Sequence, residues 1–153
     1  MSHTPVAVLT AATALGSAAV GGIFYAFSSF VMPGLDRTGP ADAGTAMRGI
    51  NAEAQANAPF LALFFGTTVL ALVLGSIAVV QWGRPGSWLL VAGAVLAVLP
   101  AVITIVFNVP LNDKLDGGQD WQSYLGPWTA WNHVRTVTAL LGAALLVTGG
   151  TTR

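Results

Sequence analysis

Residues 128–135 read "WTAWNHVR", and residues 136–150 continue as "TVTALLGAALLVTGG". The second segment carries no charge. With its head it supplies the ~20 residues that cross about 30 Å of hydrocarbon at about 1.5 Å per residue. A chain with only six Lys and Arg therefore sets an Arg, a His and two Trp at the mouth of an apolar helix.

Working outward, three more stretches have that length and character, so the expected spans are roughly 6–31, 59–80, 88–107 and 128–149. Composition agrees: 54% of the 153 residues are hydrophobic and 8% are charged, against about 25% charged in an ordinary soluble domain. Backbone groups in lipid must pair internally, so the expected fold is all-α, a four-transmembrane-helix bundle forming a single integral membrane domain over residues 1–153. The N-terminal apolar run has no Lys or Arg before it and is longer than a signal-peptide core, so it reads as a retained span, with cleavage as the alternative. The expected location is multi-pass in a bacterial plasma membrane, with the lipid bilayer as first partner.

Pro59 and Trp88 open the second and third spans, positions that suit a first-turn proline and an interfacial indole. Pro100 inside the third is expected to kink it and to free a carbonyl near Leu96. The connection "QWGRPGS" is short, whereas 32–58 and 108–127 are long. A short interfacial helix is expected in the first long loop, from about Ala41 to Ala56. "FVMPGLDR" at 30–37 and "FNVPLNDK" at 107–114 share Phe, Pro, Asp and a terminal base in one register, as a duplicated two-helix unit would.

We call the end with the termini and the short loop side A, and the end with the long loops side B. All six carboxylates fall on side B: Asp36, Asp42, Glu53, Asp113, Asp116 and Asp120. Arg84 and Arg153 lie on A, against Arg37, Arg48, Lys114 and Arg135 on B. Counting Lys and Arg alone puts B inside, whereas net charge puts A inside, so orientation stays open.

The net charge is zero, with no basic cluster, which removes nucleic acid as a partner. Cysteine is absent, which removes disulfides and thiolate-ligated metals. The two histidines, His3 and His133, are expected at opposite faces, so one subunit cannot supply paired axial ligands. The carboxylates lack calcium-loop spacing, and neither a phosphate-binding Gly loop nor a nucleophilic Ser motif is present. No metal or other cofactor is expected.

Polar residues gather toward side B. Tyr25, Ser28 and Ser29 share a face at i, i+3 and i+4. Asn51 and Asn57 precede span two, Asn108 and Asn112 follow span three, and Trp128, Asn132, His133 and Arg135 open span four. At about 100° per residue, Trp128, Trp131, Asn132 and Arg135 form one stripe, and His133 points about 160° from Arg135. Each also has a plainer reading. Arg135, roughly 22 Å of helix before Gly150, can snorkel as an anchor, and His133 can sit at the interface. Tyr25, Ser28 and Ser29 can bond neighbouring helices or their own carbonyls, and Asn108 and Asn112 can be helix-end residues. Ser17 and Gly21, or Ala18 and Gly22, suit close helix packing.

The segments "GIFYAFSSFVMPGL", "AMRGIN", "NVPLN" and "WTAWNHVR", in this order and spacing, make the whole chain similar to the small four-helix membrane proteins of domain-of-unknown-function family 1772, which includes the fungal anthrone oxygenases. The resemblance implies a membrane-embedded bundle. Some members oxidise anthrones to anthraquinones with molecular oxygen and no established metal or flavin. It carries Asn51, Asn108, Pro110, Asn112, Trp128, Trp131, Asn132, Arg135 and His133 as motif residues. The expected catalytic set is Arg135 and Asn132 for an oxyanion and His133 as base, with Asp113 as a substitute base. The expected binding set is Trp128, Trp131, Tyr25, Ser29, Asn51, Asn108 and Asn112, for a planar lipophilic phenol or quinol. The competing readings are a non-catalytic membrane protein that binds a lipid, quinone or partner helix, and half of a small transporter. A homo-oligomer is compatible with each.

Overall fold

The computed structural model describes residues 4–153, so His3 lies outside the described residues. The described residues are almost all helical, with no strand among them. Helix α1 (Thr4–Ala26) passes through a wider π-helical turn, Phe27–Val31, into α2 (Met32–Asp36). Helix α3 (Pro40–Ala56) follows, then α4 (Ala58–Val80), and α5 (Ser87–Ile103) passes through a second π turn, Thr104–Asn108, into α6 (Val109–Asp116). Helix α7 (Trp121–Thr151) completes the chain. Four continuous helices, Pro5–Asp36, Ala58–Val80, Ser87–Asp116 and Trp121–Thr151, are long and apolar enough to cross a membrane. The protein is thus a multi-pass integral membrane protein built as a four-helix bundle.

The helices outrun the spans marked by hydropathy. The first and third continue into α2 and α6, and the fourth starts at Trp121, seven residues before Trp128. The cause in the first and third is local. Pro33 and Pro110 have no N–H to give, and each ring would crowd the carbonyl four residues back. In both places the residue just before the proline bonds five residues back instead, Met32 N–H to Phe27 O and Val109 N–H to Thr104 O. This widens one turn and lets the helix go on. Pro100 is buried within α5, which stays helical on both sides of it; the change of pairing comes four residues later.

Around the bundle the order is α1, α7, α5, α4, with α1 also against α4. Small residues permit the tightest crossing, α5 on α7: a Cβ on Gly142 would stand 3.0 Å from Ala97 N and 3.1 Å from Gly93 O. Gly21 packs against Leu140 and Ala139 of α7, and Ser17 Oγ donates to Ala139 O at 2.8 Å. Gly22, by contrast, has open space beside it.

At the side A end the core is small and aliphatic: Ala14, Ala71, Leu74, Ala78, Leu90, Ala97 and Leu146. Toward side B it becomes aromatic and sulfur-bearing, with Met32, Met47, Trp121, Tyr124 and Trp128. Helix α3 lies across that end, against α2, α6, α7 and α4. Gly39, at φ 93°, turns the chain into it. Asn57 Oδ1 accepts from Phe60 N (3.0 Å) to cap α4. Asp120 Oδ1 accepts from Ser123 N (3.0 Å) to cap α7, and the hydrogen bonds from Ser123 hold that carboxyl below its ordinary value.

Candidate functional site

Helix α7 carries the centre of the site on one stripe. Trp128, Asn132 and Arg135 recur at i, i+4 and i+7, and all three are buried. Arg135 is only 4% exposed. Its Nη1 donates to Thr104 Oγ1 (2.9 Å) and its Nη2 to Asn132 Oδ1 (2.8 Å), and its Nε has no protein partner. The guanidinium carbon stands 4.2 Å from the Phe24 ring centre and 5.1 Å from that of Trp128, both in cation–π range. No carboxylate among the described residues pairs with it. Neutral acceptors and two ring faces offset only part of the several kcal/mol that taking a cation out of water costs.

The two π turns supply the groups that grip this stripe. Thr104 opens the second turn, and Asn108 closes it with Nδ2 donating to Trp128 O at 3.3 Å. Ser28 lies in the first turn, where its Oγ accepts from Asn132 Nδ2 (2.7 Å) and sits 3.2 Å from Thr136 Oγ1. The second Asn132 Nδ2 hydrogen goes to Phe24 O, also at 2.7 Å. Asn132 thus ties α1 to the arginine while Thr104 ties it to the third span. Below them, Asn112 Oδ1 accepts from both Tyr124 Oη and Trp128 Nε1, each at 2.9 Å, which fixes the indole ring.

Beside this network is a cavity of about 800 Å³. Phe24, Phe27, Phe60, Phe64 and Trp128 form its apolar walls, Met47 and Ile50 of α3 its cover, and Arg135, Asn51 and Asn112 its polar points. Asn51 is buried, and its Nδ2 has no partner. Glu53 is the one carboxylate lining the cavity among the described residues.

Of the residues expected at the site, the cavity brings together Arg135, Trp128, Asn51 and Asn112. Asn132 and Asn108 stand behind that group and hold it. Five others point elsewhere. Tyr25 is 57% exposed and Ser29 is exposed, with Ser29 Oγ donating to Tyr25 O at 2.7 Å. The inward face of α1 runs through Ser17, Gly21, Phe24 and Ser28, and each of those two is one residue, about 100°, away from it. Trp131 stacks on Phe107 with ring centres 3.6 Å apart, outside the cavity. His133 is exposed on the opposite side of α7 and lines a separate groove with Met32, Pro33 and Asp36. Asp113 is also exposed and outside the cavity lining. Phe24, Thr104 and Glu53 were not among the expected residues. Thr104 lies in the turn that the second Phe-x-x-Pro accompanies, whereas Phe24 lies in the regular part of α1, and neither segment names the group it will face.

A family model described as anthrone oxygenase matches residues 55–145, well over half the chain. The match includes Asn112, Trp128, Asn132 and Arg135 and leaves Phe24, Ser28, Asn51 and Glu53 outside it. No curated protein and no solved structure matches the chain.

Proposed function

Because the chain belongs to the anthrone oxygenase family, we propose that its cavity binds a planar lipophilic phenol or quinol, anthrone-like in shape, and oxidises it with molecular oxygen. The observation that carries this reading is Arg135: a buried guanidinium without a carboxylate, on the wall of an apolar aromatic cavity. A ligand that develops one anionic oxygen completes the arginine's environment, and a fixed, water-poor donor is worth most where charge develops. A volume near 800 Å³ falls within the roughly 300–1,000 Å³ of small-molecule pockets, and the Phe and Trp walls suit a flat ring system.

The chemistry follows from the ligand class. In an anthrone, the keto tautomer of such a phenol, the doubly benzylic CH₂ is conjugated through both rings to the carbonyl across from it and is acidic, and the resulting enolate is electron-rich enough to reduce oxygen itself. The reaction therefore needs no separate electron carrier. Arg135 would hold the enolate oxygen, with Asn132 and Thr104 keeping the guanidinium aimed. Trp128, held by Asn112, would form one face of the slot.

Oxygen uptake by purified protein in lipid vesicles, with anthrone and reduced quinone analogues, tests this. Uptake above the uncatalysed rate is expected. Arg135→Lys, which keeps the charge but loses the planar fork, should lower it about 100-fold, the scale of one lost oxyanion donor. If the native protein consumes no oxygen across the panel but is thermally stabilised by the same compounds, the cavity is a binding site only.

A further inference from the structure

The oxidation proposed above begins by removing a proton from carbon, and a guanidinium cannot accept one. His133, the nominal base, occupies a different groove on the far side of α7, and Asp113 lies outside the cavity lining. Asp36 Oδ1 accepts from Trp121 Nε1 (2.8 Å) and Gln122 Nε2 (3.3 Å), and Asp120 caps α7. Glu53 remains. It stands in the last turn of α3, lines the cavity, and is exposed at its rim. Its Oε1 accepts from Asn57 Nδ2 at 3.2 Å, while Asn57 Oδ1 caps α4 through Phe60 N. The carboxylate is thereby tethered to the junction of two helices with Oε2 left to act.

We infer that Glu53 is the catalytic base of this cavity, taking the proton from the substrate methylene while Arg135 holds the oxygen that becomes anionic; the inference rests on the oxygenase reading. The steps balance. Glu53 takes one methylene proton, and the C–H electron pair enters the enolate. Oxygen adds at that carbon, forming a C–O bond, and the peroxide anion takes the proton back from Glu53 to give a hydroperoxide. Glu53 then removes the second hydrogen from the same carbon. A C=O forms, the O–O bond breaks, and the leaving hydroxide is protonated by Glu53. One CH₂ and one O₂ become one C=O and one H₂O, and the carboxylate is regenerated.

Glu53→Gln is the informative variant, because the amide oxygen still accepts from Asn57 while the proton acceptor is gone. The native protein, Glu53→Gln and Glu53→Asp in vesicles would be compared for oxygen uptake with anthrone and with anthrone deuterated at its methylene. Binding of the anthraquinone product would be followed by tryptophan fluorescence. Glu53→Gln should slow uptake at least 100-fold, within the usual range for a lost general base. It should raise the deuterium effect and leave product affinity unchanged, and Glu53→Asp should retain intermediate activity. Native-like uptake and isotope effect in Glu53→Gln would overturn the assignment while leaving the oxygenase reading intact. Product binding lost together with turnover would make Glu53 structural and overturn it too. A native protein that consumes no oxygen would remove both.

Discussion

Asn132 shows how much one side chain can settle. Its amide gives two hydrogens, to Phe24 O and Ser28 Oγ, and its oxygen takes one from Arg135 Nη2. Removing it leaves a buried carbonyl and a buried guanidinium without those partners, so the loss exceeds that of a single neutral hydrogen bond. Asn132→Ala should destabilise the protein by about 2–4 kcal/mol, read from unfolding in detergent. Ser28→Ala is the milder comparison, since Phe24 O and Arg135 keep their partners. If both variants unfold like the parent, the network contributes nothing to stability. The stripe of Trp128, Asn132 and Arg135 was legible from helical spacing alone. Trp131 was not, because a residue at the stripe's edge goes to whichever ring offers a face, and Phe107 comes from another helix, 24 residues earlier in sequence. Phe24 and Thr104 were hidden for the same reason: nothing in their own segments says that an arginine will arrive opposite them.

At the level of the elements, the two π turns set the site. Each starts six residues before a proline, Phe27 before Pro33 and Thr104 before Pro110, so the sequence repeat at 30–37 and 107–114 corresponds to a repeated helix defect. Hydropathy placed the cores of the spans but ended them early, since a proline followed by polar residues reads as a stop signal. A wider turn instead absorbs the proline and carries the helix on. Removing the proline should undo this. Pro110→Ala should let regular pairing return, and since no residue is lost the helix beyond then turns by about 100°, taking Asn112 away from Trp128 and Tyr124. The expected outcome is unchanged far-ultraviolet helicity with a weakened near-ultraviolet aromatic signal and lost product binding. Retained binding would mean that the second π turn does not orient the site.

Across the whole molecule the two ends are built for different work. Side A is closed by close helix crossings and by Arg153, whose Nη1 donates to Gln81 Oε1 (3.0 Å) and Nη2 to Ser87 Oγ (2.8 Å). Side B holds the cavity, covered by α3, a helix that contributes few large side chains to the aromatic core beneath it. The cavity also reaches the outer surface of the bundle, where Phe65 and Val109 line it and stay 47% and 40% exposed. Both belong to helices long and apolar enough to cross the membrane, so the opening lies on the lipid-facing surface, and under the proposed reading an apolar substrate would enter from the bilayer. Turnover should then follow the amount of substrate per lipid and not the amount per volume of water. With protein and total anthrone fixed, adding protein-free vesicles that fuse with the reconstituted ones dilutes the substrate in the membrane and should lower the rate in proportion, while diluting the whole suspension with buffer should leave the rate per protein nearly unchanged. A rate that ignores the substrate-to-lipid ratio would overturn entry from the bilayer.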